Sequence, residues 1–305
     1  MQRTPAERWL PMLAIVIGAL IIGFAAILSK LAMREGMGTM AVATWRTGFS
    51  IPVFCTLLLL TRAKSTTASG RSIWWLLIPG VAFALDLLTW HAAFQYTTAG
   101  MATLLANVSV ILVGIGGWWL LGERVGWRWW LGAFLALLGV VGLMAGSEAI
   151  SSAPRPVLGN ALALITALCY ASYLLSARVV RSGHSTIELM TAVVVISTLV
   201  LAIATVIKGE SWTPHNSTGW WWVILLAIGP QITGQGLIIW AVGRVPAALV
   251  AVALLLQPVG TAIWGDLFLN EPLRWTDALP GALVLTGIAL ARMGSGTKSS
   301  LNASN

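Results

Sequence analysis

The chain has 305 residues, 58% of them hydrophobic and only 9% charged, which leaves too little polar surface for a water-facing globule and makes lipid the expected solvent. Its net charge of +8 comes from basic residues scattered through short segments, not gathered in one stripe, so nucleic acid is not an expected partner. A bilayer span takes about 20 apolar residues, and ten of them use roughly two-thirds of such a chain; no separate ATP-hydrolysing domain fits between them.

In chain order, apolar runs bounded by charged residues, Pro or Gly are read at Trp9 to Met33, Met40 to Thr61, Ile73 to Tyr96, Thr98 to Leu121 and Trp129 to Ala145. Five more run from Leu158 to Ala177, Ile187 to Ile207, Gly219 to Val242, Pro246 to Leu269 and Thr276 to Ala291. The first run lacks a small-residue cleavage site and is read as a retained helix. Connections at Tyr96 to Thr98 and at Gly243 to Val245 must be very tight. Cys55 and Cys169 each lie inside an apolar run with no Cys or His cluster nearby, so free thiols are expected, and no metal or cofactor.

Cytoplasmic loops retain Lys and Arg during insertion. With the N-terminus inside, the cytoplasmic side collects Arg3, Arg8, Arg62, Lys64, Arg71, Arg124, Arg128, Arg178, Arg181, Arg244, Arg292 and Lys298. The outside collects only Lys30, Arg34, Arg155, Lys208 and Arg274. That imbalance favours an even number of helices with both termini cytoplasmic. Trp74, Trp75, Trp118, Trp119, Trp127, Trp129, Trp130 and Trp220 to Trp222 fall near helix ends, as an interfacial aromatic belt requires.

Laying Glu123 over Glu271, an offset of 148 residues, superposes Gly117, Trp127 and Gly139 on Gly265, Trp275 and Gly287, together with several Leu and Ile. The chain is therefore expected to be all-α and polytopic, with ten transmembrane helices as two five-helix repeats. An odd number of spans per repeat inverts the second relative to the first, the arrangement of alternating-access transporters. The repeats are expected at residues 9–145 and 158–292, with a short cytoplasmic tail at 293–305. Glu123 and Glu271 then lie on opposite sides of the membrane, and capping or loop anchoring near the next helix is expected of each.

The first repeat carries Ala93-Phe-Gln-Tyr-Thr-Thr-Ala-Gly100, Leu121-Gly-Glu-Arg124 and a Gly-rich helix from Leu131 to Met144. The second carries Trp240-Ala-Val-Gly-Arg-Val-Pro-Ala-Ala248, Gln257-Pro258, Asn270-Glu-Pro272 and a last helix with Gly281 and Gly287. On these motifs the chain resembles the drug/metabolite transporter superfamily, in particular its EamA-type ten-helix members, and within them YddG-type aromatic amino acid exporters. The resemblance implies a multi-pass protein of the bacterial inner membrane that exports amino acids, aromatic and other neutral ones. Its partners would be the small-molecule substrate and membrane lipid, and it would be monomeric. A multidrug, organic-cation or metabolite exporter is the alternative within the superfamily; an intramembrane enzyme or a receptor fits less well.

Ionisable residues inside a span face a cavity or a partner. Arg46 and Asp86 are expected as an interhelical ion pair, either structural or engaged in substrate or proton coupling. His91 is either a packing residue or a cavity-lining one. Gly229 to Gly236, which includes Gln231 and Gln235, breaks helix regularity at membrane depth, and Pro79-Gly80 is expected to weaken the third helix at a related place. Asn107 and Ser109 correspond to Gln257-Pro258 across the repeats. Tyr170, Tyr173, Trp90, Trp240 and Trp264 offer aromatic surface. Substrate contacts are accordingly expected from His91, Asn107, Tyr170, Tyr173, Gln231, Gln235, Trp240, Gln257 and Trp264, in a cavity between helices three, four, eight and nine, with one and six assisting.

Overall fold

Apolar runs give ten helical rods, and proline, glycine and buried polar residues decide where those rods break. The computed structural model describes residues 5–62, 72–97, 99–145, 155–269 and 275–296. Rod one is Pro5–Gly23 and Ala25–Arg34, interrupted at Phe24; rod two is Thr39–Gly48 and Ile51–Arg62. A 3₁₀ turn, Ile73–Leu76, leads into rod three, Leu77–Ala93. The fourth is Ala99–Ala106 and Ser109–Leu121, the fifth Trp127–Ala145, the sixth Pro156–Val180 and the seventh Thr186–Lys208. The eighth is Ser217–Leu226, a π-helix Ala227–Gln235 and Gly236–Val242. The ninth joins Ala247–Ala253 to Gln257–Leu269 through a 3₁₀ turn, Leu254–Leu256, and the tenth is Ala278–Gly294. Eight of these rods, among the described residues, are long and apolar enough to cross a membrane, and the fifth adds a shorter apolar stretch, Trp127–Leu143. Cys55 and Cys169 are free and half-buried.

The connecting segments sort into two faces. On one, Gly38 N donates to Ser211 O, His215 N to Glu35 O and Arg155 N to Tyr96 O. The opposite face holds the turn after the fourth rod and the end of the tenth, which pair as two-residue strands, Arg124–Val125 with Ser295–Gly296. Glu123 also lies there. Its carboxylate accepts from Ala247 N at 2.8 Å and Ala248 N at 3.1 Å, with Arg178 Nε 3.6 Å away. Glu123 is thus a cap, but of the ninth rod in the other repeat and not of the helix that follows it. An anion at a helix N-terminus satisfies orphan N–H groups and meets the positive end of the dipole. Glu271, Arg274 and the Asn-Glu-Pro motif lie outside the described residues, as do residues 297–305 of the expected tail.

Two further expectations are corrected. Trp129 is not part of a belt: it is fully buried, and its Nε1 donates to Ala248 O at 3.1 Å. Trp74, Trp118, Trp119, Trp127 and Trp221, by contrast, are exposed as interfacial residues should be. The third rod is not weakened at Pro79-Gly80. Pro79 falls in the first turn of Leu77–Ala93, where no intrahelical N–H bond is lost. The matched interruptions are instead at Asn107 and Val108 in the fourth rod and Leu254–Leu256 in the ninth, which the 148-residue offset nearly superposes.

Polar side chains bind neighbouring rods to one another, as expected where lipid supplies no hydrophobic force between helices. Thr44 and Thr205 hydroxyls lie 3.0 Å apart, Thr198 donates to Thr47 at 2.8 Å, and Thr89 and Thr166 are 2.7 Å apart. Rods five and ten meet through backbone. A Cβ on Gly132 would lie 2.4 Å from Gly287 O, one on Gly287 2.5 Å from Gly132 O, and one on Gly139 2.5 Å from Pro280 O. The offset carries Gly132 onto Pro280 and Gly139 onto Gly287, so the two contacts exchange under the repeat symmetry. Gly132→Val should therefore force these rods apart and destabilise the protein by about 1–3 kcal/mol, read as a lower melting temperature in detergent. Gly281→Val, whose Cβ meets nothing within 4 Å, should leave it nearly unchanged.

Candidate functional site

The interrupted rods converge on one cavity of about 80 Å³. Ile22, Gly23, Ala25 and Ala26 of the first rod line it, with Arg46 of the second and Phe83, Asp86, Leu87 and Trp90 of the third. The fourth contributes Thr103, Ala106, Asn107 and Ser109, and the sixth Thr166 and Tyr170. Gln235 of the eighth and Ala251, Leu254, Gln257 and Thr261 of the ninth complete the lining. The six rods expected around a cavity all reach it, and the second joins them through Arg46.

Local sequence explains how the backbone tolerates this. Gly23 sits against the ninth rod, where a Cβ would come within 2.5 Å of Gln257 O. The interruption at Phe24 releases carbonyls of the first rod. Thr261 Oγ1 then donates to Gly23 O at 2.8 Å, and Trp264 Nε1 to Leu20 O at 2.9 Å. In the fourth rod, Asn107 Nδ2 turns back to Thr103 O at 3.0 Å. Pro230 lacks the N–H that an α-helical turn needs, and the eighth rod widens there into a π-helix. Thr233 Oγ1 donates to Ile228 O across the wider turn, and Gln231 and Gln235 both lie on its buried side.

Arg46 and Asp86 share the cavity without touching. No salt bridge joins them within 4.0 Å among the described residues, and the expected contact pair is not formed. Arg46 Nε donates to Gln231 Oε1 at 2.9 Å. The amide of Gln231 is fixed by that bond, and among the described residues its Nε2 has no partner; neither has Gln235 Oε1. Tyr170 turns its hydroxyl toward Gln235 and Gln257 but meets neither in hydrogen-bonding geometry. Gln235 and Tyr170 line a space that Phe83, Leu87 and Trp90 bound with apolar surface.

Of the predicted residues, Asn107, Tyr170, Gln235 and Gln257 line the cavity, and Gln231 stands behind Arg46. The other four are placed elsewhere. His91 is fully buried, its Nδ1 2.8 Å from Leu87 O and its ring against Trp90 and Phe94. Tyr173 packs on Phe83 with centroids 4.7 Å apart. Trp240 lies under the Arg244 guanidinium at 3.8 Å, at the end of its rod, and Trp264 is spent on Leu20 O and on stacking with Phe24. Phe83, Thr103, Thr166 and Thr261 line the cavity without having been anticipated. Thr103, Thr166 and Thr261 stand four residues from Asn107, Tyr170 and Gln257, and the i, i+4 rule would have found them.

A model of the EamA-like transporter family matches residues 9–145 and again 157–293, and the chain belongs to that family. It is 24% identical over 197 residues to an uncharacterized transporter, YetK, of Bacillus subtilis, covering 64% of this chain and 60% of YetK's own length. It is 29% identical over 239 residues to the pseudopaline exporter CntI of Pseudomonas aeruginosa, covering 77% of this chain and 81% of that one. A solved crystal structure superposes with a TM-score of 0.75 at 19% identity, over 94% of this chain and 98% of the other, which establishes the fold. The protein is a multi-pass membrane transporter.

The Arg46–Gln231 contact yields a test. Gln231→Leu should strand a buried charged donor and cost about 1–3 kcal/mol of stability. Arg46→Met should also cost stability. Combined, the two should cost less than their sum, because the double variant leaves neither partner orphaned; additive losses in thermal melts would show that the bond carries no coupling.

Proposed function

We propose that this transporter exports amino acids, aromatic and other neutral ones, from the bacterial cytoplasm by alternating access through this cavity. The observation that carries the reading is the composition of the lining. Neutral amides and hydroxyls with unused hydrogen-bonding capacity stand beside the aromatic wall of Phe83 and Trp90, within reach of one cationic and one anionic side chain. Amides accept and donate without demanding one side-chain chemistry, which suits several substrates of common head group. The similarity to an exporter supports the outward direction. A dedicated organic-cation exporter fits less well, because Arg46 faces the same space.

The protein is proposed to be a monomer of the inner membrane, with repeats at 9–145 and 158–292 and with both termini and the Glu123 face cytoplasmic. The loop charges support that orientation: Arg178, Arg181 and Arg244 gather on the Glu123 face, and burial, then Arg244, lowers the pKa of the Arg181 guanidinium. Arg124→Cys should accordingly resist impermeant maleimide applied from the periplasmic side, whereas Arg274→Cys should label; the reverse pattern overturns the orientation.

Proteoliposomes should accumulate labelled phenylalanine and smaller neutral amino acids against protein-free controls, and parallel assays with and without a proton gradient would define the coupling. Gln235→Ala and Gln257→Ala should change apparent affinity or substrate preference severalfold while melting temperature stays near that of the parent. Transport of organic cations with no amino acid transport would replace this reading with the alternative exporter. Variants that fold and handle every substrate as the parent does would remove these glutamines from the site.

A further inference from the structure

A contact ion pair is the cheapest way to hold two opposite charges inside a membrane, since each otherwise lacks compensation in a low dielectric. Arg46 and Asp86 are both buried, both line the one cavity, and yet do not pair. Arg46 is held by its Nε on Gln231, which leaves its two terminal nitrogens without a protein partner among the described residues. Those two nitrogens are the fork that matches the oxygens of a carboxylate. Beside them, Gln231 Nε2 is a further buried donor with no acceptor. The Asp86 carboxylate accepts no hydrogen bond from a described residue, and Gln235 Oε1, also on the cavity, is a buried acceptor with no donor. Unused donors stand at the positive charge, and Asp86 and Gln235 Oε1 add unused acceptors on the same cavity.

We infer that the cavity has two poles: Arg46, oriented by Gln231, receives the carboxylate of a zwitterionic ligand, and Asp86 receives its ammonium. The inference rests on the proposed amino acid reading and deepens it by assigning the recognition of the two charged groups. Arg46 and Asp86 are then specificity residues held apart so that the ligand, and not each other, neutralises them. Ligands bearing only one charge leave the opposite pole buried and uncompensated, so discrimination exceeds the loss of a single hydrogen bond.

Binding to the purified parent protein in detergent tests this without relying on variants that fold. The probes are phenylalanine, 3-phenylpropionate, which lacks the amine, phenethylamine, which lacks the carboxylate, and 6-aminohexanoate, a zwitterion that is not an α-amino acid. Both single-charge analogues should bind at least about tenfold more weakly than phenylalanine, the loss of one charge-assisted bond. Asp86→Asn should erase the preference for phenylalanine over 3-phenylpropionate, and Arg46→Gln the preference over phenethylamine. Equal affinity of the parent for phenylalanine and both analogues overturns the two poles while leaving amino acid export standing. Binding of 6-aminohexanoate but no amino acid, with the same dependence on Asp86 and Arg46, overturns the amino acid reading and keeps the poles. If no probe binds, both fall.

Discussion

Inside a bilayer a peptide carbonyl released from its helix has no water to turn to, so a helix can be interrupted only where another group takes its place. That constraint organises this molecule. The first rod breaks at Phe24, and the ninth rod supplies Thr261 and Trp264 to the carbonyls of Gly23 and Leu20. In the second rod Ser50 Oγ donates to Arg46 O at 3.0 Å, and in the fourth Asn107 Nδ2 adds a second bond to Thr103 O, which Asn107 N already reaches at 3.1 Å. Of these side chains, Thr261 and Asn107 also line the cavity. The interruptions and the site are therefore one feature, and the residues that look like a binding set in sequence are partly occupied in holding the backbone.

Repeat symmetry adds the second requirement. Because the two five-helix units are inverted, the fourth and ninth rods enter the cavity from opposite faces with their irregular turns at matching depth. Gly132 against Gly287 and Gly139 against Pro280 lock rods five and ten as a flank that has little freedom to slide. The first, fourth, eighth and ninth rods, by contrast, carry their irregular turns next to the cavity. Rigidity is concentrated outside the transport path, where backbone is packed on backbone.

The architecture was legible because it rests on length and periodic hydropathy, which lipid enforces along the whole chain. Ten runs, the tight turn at Gly243 to Val245 and the 148-residue offset correspond to features of the structure. Site residues were legible only in part. Asn107, Gln235 and Gln257 stood out as amides at membrane depth, and an amide there must face either a cavity or a backbone gap. Sequence does not separate those two outcomes: Trp264 fills a gap and Tyr173 a packing site, although both looked equally suited to a pocket. The Pro79-Gly80 expectation failed for a positional reason, since a proline in a first helical turn breaks nothing. The Arg46 and Asp86 contact failed because helix counting gives depth but not azimuth, and the azimuth of Arg46 is set by Gln231, 185 positions along the chain.

A cavity of about 80 Å³ is well below the roughly 300 Å³ at which small-molecule pockets begin, so a ligand the size of an amino acid has to displace some of its wall. The wall that yields is constrained by the anchors already described. On one face, Glu123 and Trp129 tie the start of the ninth rod to the fourth and fifth, while the 3₁₀ turn at Leu254–Leu256 separates that anchored half from Gln257–Leu269. The second half packs on the broken first rod through Gly23, Thr261 and Trp264, so those two segments move together or not at all. Expansion of the site is thus directed to the joint between the halves of the ninth rod and to its counterpart at Asn107, where Gln257 and Asn107 sit and where regular helical bonding has already been given up.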